Sequence, residues 1–319
     1  MTLLTNSHTT FAAIGRREDL SDAIYNIAPD ETPFMNSIEV VKATNTYHEW
    51  QTDTLAAAAT NNQQLEGDDA PTATAVTATV RLGNYTAISR KVPAVTGSQS
   101  ASNNAGRKDE LAYQEAKMGL ELRRDMESQW VGANNARVAG NSTTARVSAS
   151  VLSWIGTNDS FDSTTGASPS ALDGTATRTD SSAVRPLTET LLKDVLQLIW
   201  TEGGNPGCIM GNAFQRRQMD LFTGGNTRSL DVKDEVLHTT FDVYVSSWGR
   251  LKIMPNRFMR TRDLLVFQLD MWAIAYYRAF KRELLGKTGD NQKVMLIAEA
   301  TLESRNEKAS GGVFDLATS

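Results

Sequence analysis

The sequence predicts an α+β protein, and three stretches carry that prediction. Two extended segments flank a thin polar middle between about residues 43 and 90. A long helix over Gly106–Val131 is apolar on two sides. A long alternating strand, Lys293–Arg305, lies near the C-terminal end. Between the helix and that strand the texture changes to short alternating strands and amphipathic helices, the pattern of an inserted mixed α/β module.

Composition bounds the rest. A chain of 319 residues holds one large domain or two smaller ones. Its apolar fraction of 40% is somewhat low and its charged fraction of 22% ordinary, which fits real cores with thin polar extensions. A formal net charge of −5 gives no overall basic footprint of the kind a duplex-DNA binder carries. The single cysteine, Cys208, excludes an intrachain disulfide and a four-cysteine zinc site. It sits in the apolar run Gly207–Met210 and reads as a buried, inert thiol. The N-terminus has no basic region ahead of an apolar core, and no stretch approaches the ~20 apolar residues of a membrane span. Synthesis and folding in a cytoplasm, with no membrane partner, are expected.

Taken in order, residues 1 to about 18 read as a mobile arm, and Asp19–Ile27 as a short helix stopped by the prolines of Ala28–Phe34. Strands follow near Thr44–Thr54 and Pro71–Ser89. The Thr/Ala-rich run Thr72–Val80 opens the second, because threonine is enriched in strands. Ala56–Gln64 between them has almost nothing to bury. A two-stranded arm of this kind is marginal alone, and its open edges can pair with another chain. The long helix can be capped by Asn103 or Asn104 and ended by Gly132. Leu111, Met118, Leu122, Met126 and Trp130 lie on one side of it, with Tyr113, Leu120 and Val131 nearly opposite, so it packs on two sides.

Residues 157–185 are rich in Ser, Thr, Gly and Asp and read as a flexible loop. Thr188–Trp200 is an amphipathic helix burying Leu191, Leu192, Val195, Leu196 and Ile199, and Gly203-Gly204 ends it. Gly207–Met210 is a short buried strand. Asn212 and Gln215 have capping-box spacing for the next helix. Phe241–Val245 and Leu251–Met254 form a hairpin, and Leu264–Gln268 and Trp272–Tyr277 are further strands. In Lys293–Arg305, Val294, Leu296, Ala298, Ala300 and Leu302 alternate with Glu299, Thr301 and Glu303, the pattern of a half-exposed sheet packed on the long helix.

No catalytic chemistry emerges. His8, His48 and His238 have no metal-ligand spacing, and no H-E-x-x-H or G-x-S-x-G motif occurs. Gly286-Lys287-Thr288 lacks the earlier glycine of a phosphate loop, Lys281 standing there, and reads as a turn. No catalytic residue, metal ligand or cofactor is assigned, and the chain is not expected to be an enzyme. The candidate contacts are instead those of an assembly. In the arm they are the apolar Trp50, Leu55, Leu65 and Tyr85 and the acidic Glu66, Asp68 and Asp69, which could pair with a neighbour's arginines or coordinate a cation, with a solvated loop as the alternative. Elsewhere Arg216, Arg217, Arg257, Arg260 and Arg262 are candidates for inter-subunit ion pairs, with an ordinary charged surface as the alternative.

The order of parts, and several stretches, resemble a known family. The stretches are Ile24–Phe34; Arg123–Glu127; Thr144-Ala145-Arg146 with Ser153-Trp154-Ile155; Trp248-Gly249 with Met254–Arg257; and Ala298–Asn306. Together they resemble the tailed-phage major capsid proteins of the Hong Kong 97 type across nearly the whole chain. The resemblance implies a Hong Kong 97-like capsid fold: an N-arm over 1–42, an extended E-loop over 43–95, a P-domain with its spine helix over 96–150 and 281–319, a flexible insert over 151–185, and an inserted α/β A-domain over 186–280. It implies a shell subunit that self-assembles as pentamers and hexamers around double-stranded DNA, held without sequence-specific contacts. A portal, a separate scaffolding protein and, in some relatives, a decoration protein would be its partners. Two departures matter. No lysine lies between Lys42 and Lys91, so the lysine–asparagine crosslink of some relatives is not expected. Fewer than fifty residues precede the arm, so a fused scaffold is not expected either. An encapsulin-like nanocompartment shell shares the fold and stays open as an alternative. A monomeric enzyme with a lid-like arm is the more remote one.

Overall fold

The computed structural model describes residues 31–67, 73, 76–102, 104, 108–222 and 243–318. The helix expected over Asp19–Ile27 lies outside them, as do His8 and His238. The described chain begins with α1 (Pro33–Ser37), β1 (Glu39–Lys42), β2 (Tyr47–Thr52), β3 (Val80–Tyr85), β4 (Ala87–Lys91) and β5 (Ala94–Thr96). It continues through α2 (Gly97–Ala101), α3 (Glu110–Glu127), β6 (Asp159–Ser160), α4 (Glu189–Thr201), β7 (Cys208–Gly211) and α5 (Ala213–Met219). It closes with β8 (Val243–Ser246), β9 (Gly249–Pro255), β10 (Leu264–Phe267), β11 (Trp272–Leu285), β12 (Asn291–Ser304) and β13 (Gly311–Val313).

Two sheets share one core. The first runs β1-β11-β12-β4, with β5 also pairing β12, and the second runs β6-β13-β10-β7-β9-β8. Every residue of β7 and β10 is buried, because the second sheet is covered on both faces. Cys208, Met210, Leu265 and Phe267 point toward the first sheet and α3, joining Met126, Trp130, Trp272, Ala298 and Leu302. Ile209, Leu264 and Val266 point the other way, onto Leu192, Val195, Leu196 and Ile199 of α4. This period-2 split is what unbroken apolar strands signify. Burial pushes the Cys208 thiol up to about 12, so it is un-ionised at neutral pH.

Several expectations are corrected. The short helix α1 is one the sequence pattern does not announce: Pro33 opens it, since a proline at the first helical position loses no hydrogen bond. The long helix starts at Glu110, not Gly106, because Asp109 accepts from the Leu111 and Ala112 amides at 2.9 and 3.3 Å. Its end is as expected, through a π turn over Ser128–Gly132. A Cβ on Gly132 would lie 2.2 Å from the Phe258 carbonyl oxygen, so glycine permits that close approach. Of Thr72–Val80, the described residues 73 and 76–79 are not strand, and the ladder begins at Val80. Asn212 does precede α5 but makes no cap hydrogen bond with its side chain. Instead its side-chain Nδ2 donates to the Met259 carbonyl at 2.9 Å, and the buried Gln215 donates to the carbonyls of Thr261 and Ala317 at 2.8 Å each.

The largest correction concerns β12. Its polar face is not exposed: Glu299, Thr301 and Glu303 are all buried, because the root of the β2–β3 hairpin and the segment around Ser148 lie over them. Residues 157–185 carry little regular structure, yet they are packed rather than loose. Arg178 stacks 3.5 Å above the Phe314 ring and donates to the Ile155 carbonyl and Asp159, while Asn158 donates to Lys308 and the Ser181 amide to Asp315. The division drawn at 280 falls inside β11, which runs unbroken along β12 apart from bulges near Arg278.

Candidate assembly surfaces

The β2–β3 hairpin is rooted by polar groups and tipped by exposed ones. At the root, the Trp50 ring lies 5.5 Å from that of Trp154, and Tyr47 lies 4.6 Å from Tyr85. Arg137 sits over the Tyr47 ring and donates to its hydroxyl at 2.7 Å and to the Gly83 carbonyl. Gly83 is required there, since a Cβ would come 2.7 Å from the Tyr47 ring and 2.9 Å from the His48 carbonyl. Asn84 is buried and binds the Leu302 carbonyl and the Ala149 amide at 2.8 and 3.0 Å.

Two buried carboxylates of β12 complete the root. Glu299 accepts from Thr86 at 2.8 Å, from Arg278 at 2.7 Å and from Arg146. Glu303 meets His48 at 3.0 Å and Arg305 at 3.0 Å, and Arg305 reaches Glu39 of β1 at 2.7 Å. Burial works against ionisation of Glu303, but the hydrogen bonds from His48 and Arg305 outweigh it and hold the carboxyl below its usual range. A third carboxylate anchors the chain where it leaves the N-terminal segment. Glu127 of α3 accepts from the Phe34 and Met35 amides at 2.8 and 2.9 Å and from Asn256 at 2.6 Å. Burial pushes its carboxyl above the ordinary range despite those bonds.

Beyond the root, residues 53–67 bury nothing: Leu55 is 99% exposed and Leu65 81%, and Glu66 is exposed with them. Asp68 and Asp69 lie outside the described residues. The arm candidates therefore divide. Trp50 and Tyr85 pack within their own subunit at the root, whereas Leu55, Leu65 and Glu66 stand free at the tip.

The arginines also divide. Arg260 pairs with Asp180 and, at 3.2 Å, with the buried Asp263, and Arg262 donates to Asp315 at 2.7 Å; both are engaged inside their own subunit. Arg216 lies 3.9 Å from Asp220, Arg217 sits over the Phe214 ring, and Arg257 is exposed. Burial pushes Asp263 up to about 7, opposed by Arg260 and reinforced by Asp180. Glu127, Arg137, Arg178 and Glu299 were missed by sequence reasoning. Glu299 carried a signal, since it interrupts a long strand, but the same alternation describes a wet face. No group of three or more His, Cys, Asp or Glu able to hold a metal ion occurs among the described residues.

Set beside known proteins, residues 3–317 match the family model of the SU10 major capsid protein. The major capsid protein of Escherichia phage Phieco32 is 28% identical over 338 positions, covering 95% of each chain. Among solved structures, the capsid of a native GTA particle superposes with a TM-score of 0.64 at 10% identity, over 97% of this chain and 98% of that one. A chain of Gordonia phage Cozz superposes at 0.60 and 11% identity, over 99% and 98%. With nearly the whole sequence matched by the family model and the whole fold by these solved structures, the chain belongs to the SU10 major capsid protein family and has the Hong Kong 97-like capsid fold.

Proposed function

We propose that the chain is the shell subunit of an icosahedral phage head, closing as pentamers and hexamers around double-stranded DNA. The shell is assembled in the host cytoplasm with a portal and a separate scaffolding protein. Residues 1–42 act as the N-arm and 43–95 as the E-loop, which lies across an adjacent subunit, while the 186–280 module faces the capsomer centre. Family membership supports a phage head over a nanocompartment shell, and a structural subunit over an enzyme.

The observation that carries the mechanism is the contrast within the arm. Its root is fixed by three aromatic contacts and two buried carboxylates, while its tip exposes Leu55 and Leu65. Isolated subunits gain no stability from an apolar residue in water, so the tip stabilises only a complex. Replacing residues 53–67 by a short Gly-Ser turn, which leaves β2 and β3 paired, tests this. The subunit should keep its melting temperature, and negative-stain images should show no closed shells. Shells formed at the yield of the unaltered chain would overturn the proposed role of the arm.

A further inference from the structure

Residues 157–185 form a strap fastened by a buried cluster of charges. At its start β6 pairs with β13, and the Phe314 amide donates to the Ser160 carbonyl at 2.8 Å. Toward its end the turn before β10 grips it. Arg260 donates to Asp180, and Arg262 donates to the Ser181 carbonyl and to Asp315, each at 2.7 Å. Within the strap, Arg178 donates to Asp159 at 2.6 Å from its place over the Phe314 ring. The strap ends at Arg185, which bridges Leu316 shortly before α4 begins. It therefore ties the inserted module to the C-terminal strand.

The charges of this cluster do not balance. Arg178, Arg260 and Arg262 each have a carboxylate of their own, in Asp159, Asp180 and Asp315. Arg185 and Asp162 beside them add one charge of each sign. Asp263 is the carboxylate left over. It is 1% exposed, and among the described residues neither of its oxygens has a hydrogen-bond partner. Arg260 Nε lies 3.2 Å from it, out of line for a hydrogen bond, and that arginine is already held by Asp180. Arg178 and Arg262 also face it and attract its charge, while Asp180 repels it. A buried carboxylate without hydrogen bonds favours the neutral acid, and burial does push this carboxyl up to about 7. A proton suits the site better than a metal cation, which the guanidinium groups would repel.

We infer that the strap is closed by a one-proton clasp at Asp263. With Asp263 protonated, Arg260 and Arg262 are free to grip Asp180, Ser181 and Asp315. With the proton gone to solvent, the same two arginines are shared with Asp263, and the strap loosens around residues 178–182. Opening hydrates Asp263, whose ordinary value is 3.8, so the open state sheds a proton that the closed state keeps. Opening therefore grows as pH rises from about 4 to about 7 and levels off above that.

Hydrogen–deuterium exchange of the full chain tests it, each rate being divided by the intrinsic rate at its pH. Between about pH 5 and pH 8 the opening of 157–185 should rise at least about tenfold, while peptides of α4 stay constant. In Asp263→Asn, which is neutral at every pH, the rise should shrink below about twofold. Asp180→Asn removes the repelling charge and frees Arg260 for Asp263, so it should also shrink the rise. That second variant decides the matter if the first does not fold. An opening that does not change with pH, a rise that either variant leaves unaltered, or an equal rise in α4 overturns the inference.

Discussion

Replacing Glu127 by alanine should unfasten the segment around α1 from the spine. Three donors converge on this one carboxylate: the amides of Phe34 and Met35 and the side chain of Asn256. Phe34, Asn256 and Glu127 are each no more than 1% exposed, so bulk water does not replace the lost acceptor. A stranded buried donor costs about 1–3 kcal/mol, so three would cost about 3–9 if nothing relaxed. Two effects reduce that sum. The burial that raises the Glu127 carboxyl above its usual range is a cost the substitution removes, and the vacated space can admit a water. A net loss of about 3 kcal/mol is therefore expected, a large share of the ~5–15 kcal/mol by which a domain is stable. Glu127→Gln keeps one acceptor oxygen but turns an NH2 toward a donor, and should cost about 1–2 kcal/mol. Urea titration of dissociated subunits reads both, with the midpoint falling and the slope unchanged. Limited proteolysis should show faster cutting ahead of β1. A loss below about 1 kcal/mol for the alanine variant, with unchanged proteolysis, would refute the reasoning.

Asp263→Asn should act in a pH-dependent way. The folded carboxyl sits at about 7 against an ordinary value of 3.8, so the native state holds a proton that the unfolded chain releases between those values. Native stability therefore falls as pH rises through that window, by up to about 1.4 kcal/mol per unit, and the asparagine variant escapes the penalty. Its melting temperature relative to the unaltered subunit should rise from pH 5 to pH 8; a flat difference would refute the buried-acid reading. Gly83→Ala forces a methyl against Tyr47 and the His48 carbonyl and should cost about 1–3 kcal/mol, lowering the melting temperature of the subunit and exposing the hairpin root to protease. No change in either would show that the ring and strand shift aside.

Local physics made much of the chain legible from its residues. The helix over Glu189–Thr201 was readable because apolar residues recur at its period and Thr188 caps it. The turn between β11 and β12 was readable from Gly286 and Gly289, and the inert cysteine from its apolar run. The arm was readable by deficit, since Ala56–Gln64 has nothing to bury. Sequence pattern failed where one residue type serves two environments. Threonine and alanine at 72–80 suit a strand only if a partner strand is present, and among the described residues the ladder starts at Val80.

By itself, then, the sequence determined the order of the parts and the identity of the apolar faces, because both follow from the spacing of side chains along the chain. Only the tertiary structure decided which polar residues are buried. Glu127, Glu299 and Glu303 look like solvated carboxylates in a list of residues. Donors from segments more than fifty residues away make each of them an anchor. Pairing with the distant Asp180 and Asp315 also decided that Arg260 and Arg262 are spent inside the subunit while Leu55 and Leu65 are left outside it. Hydrogen-bond satisfaction and charge pairing depend on what the fold brings within about 3 Å, and that distance is not encoded locally.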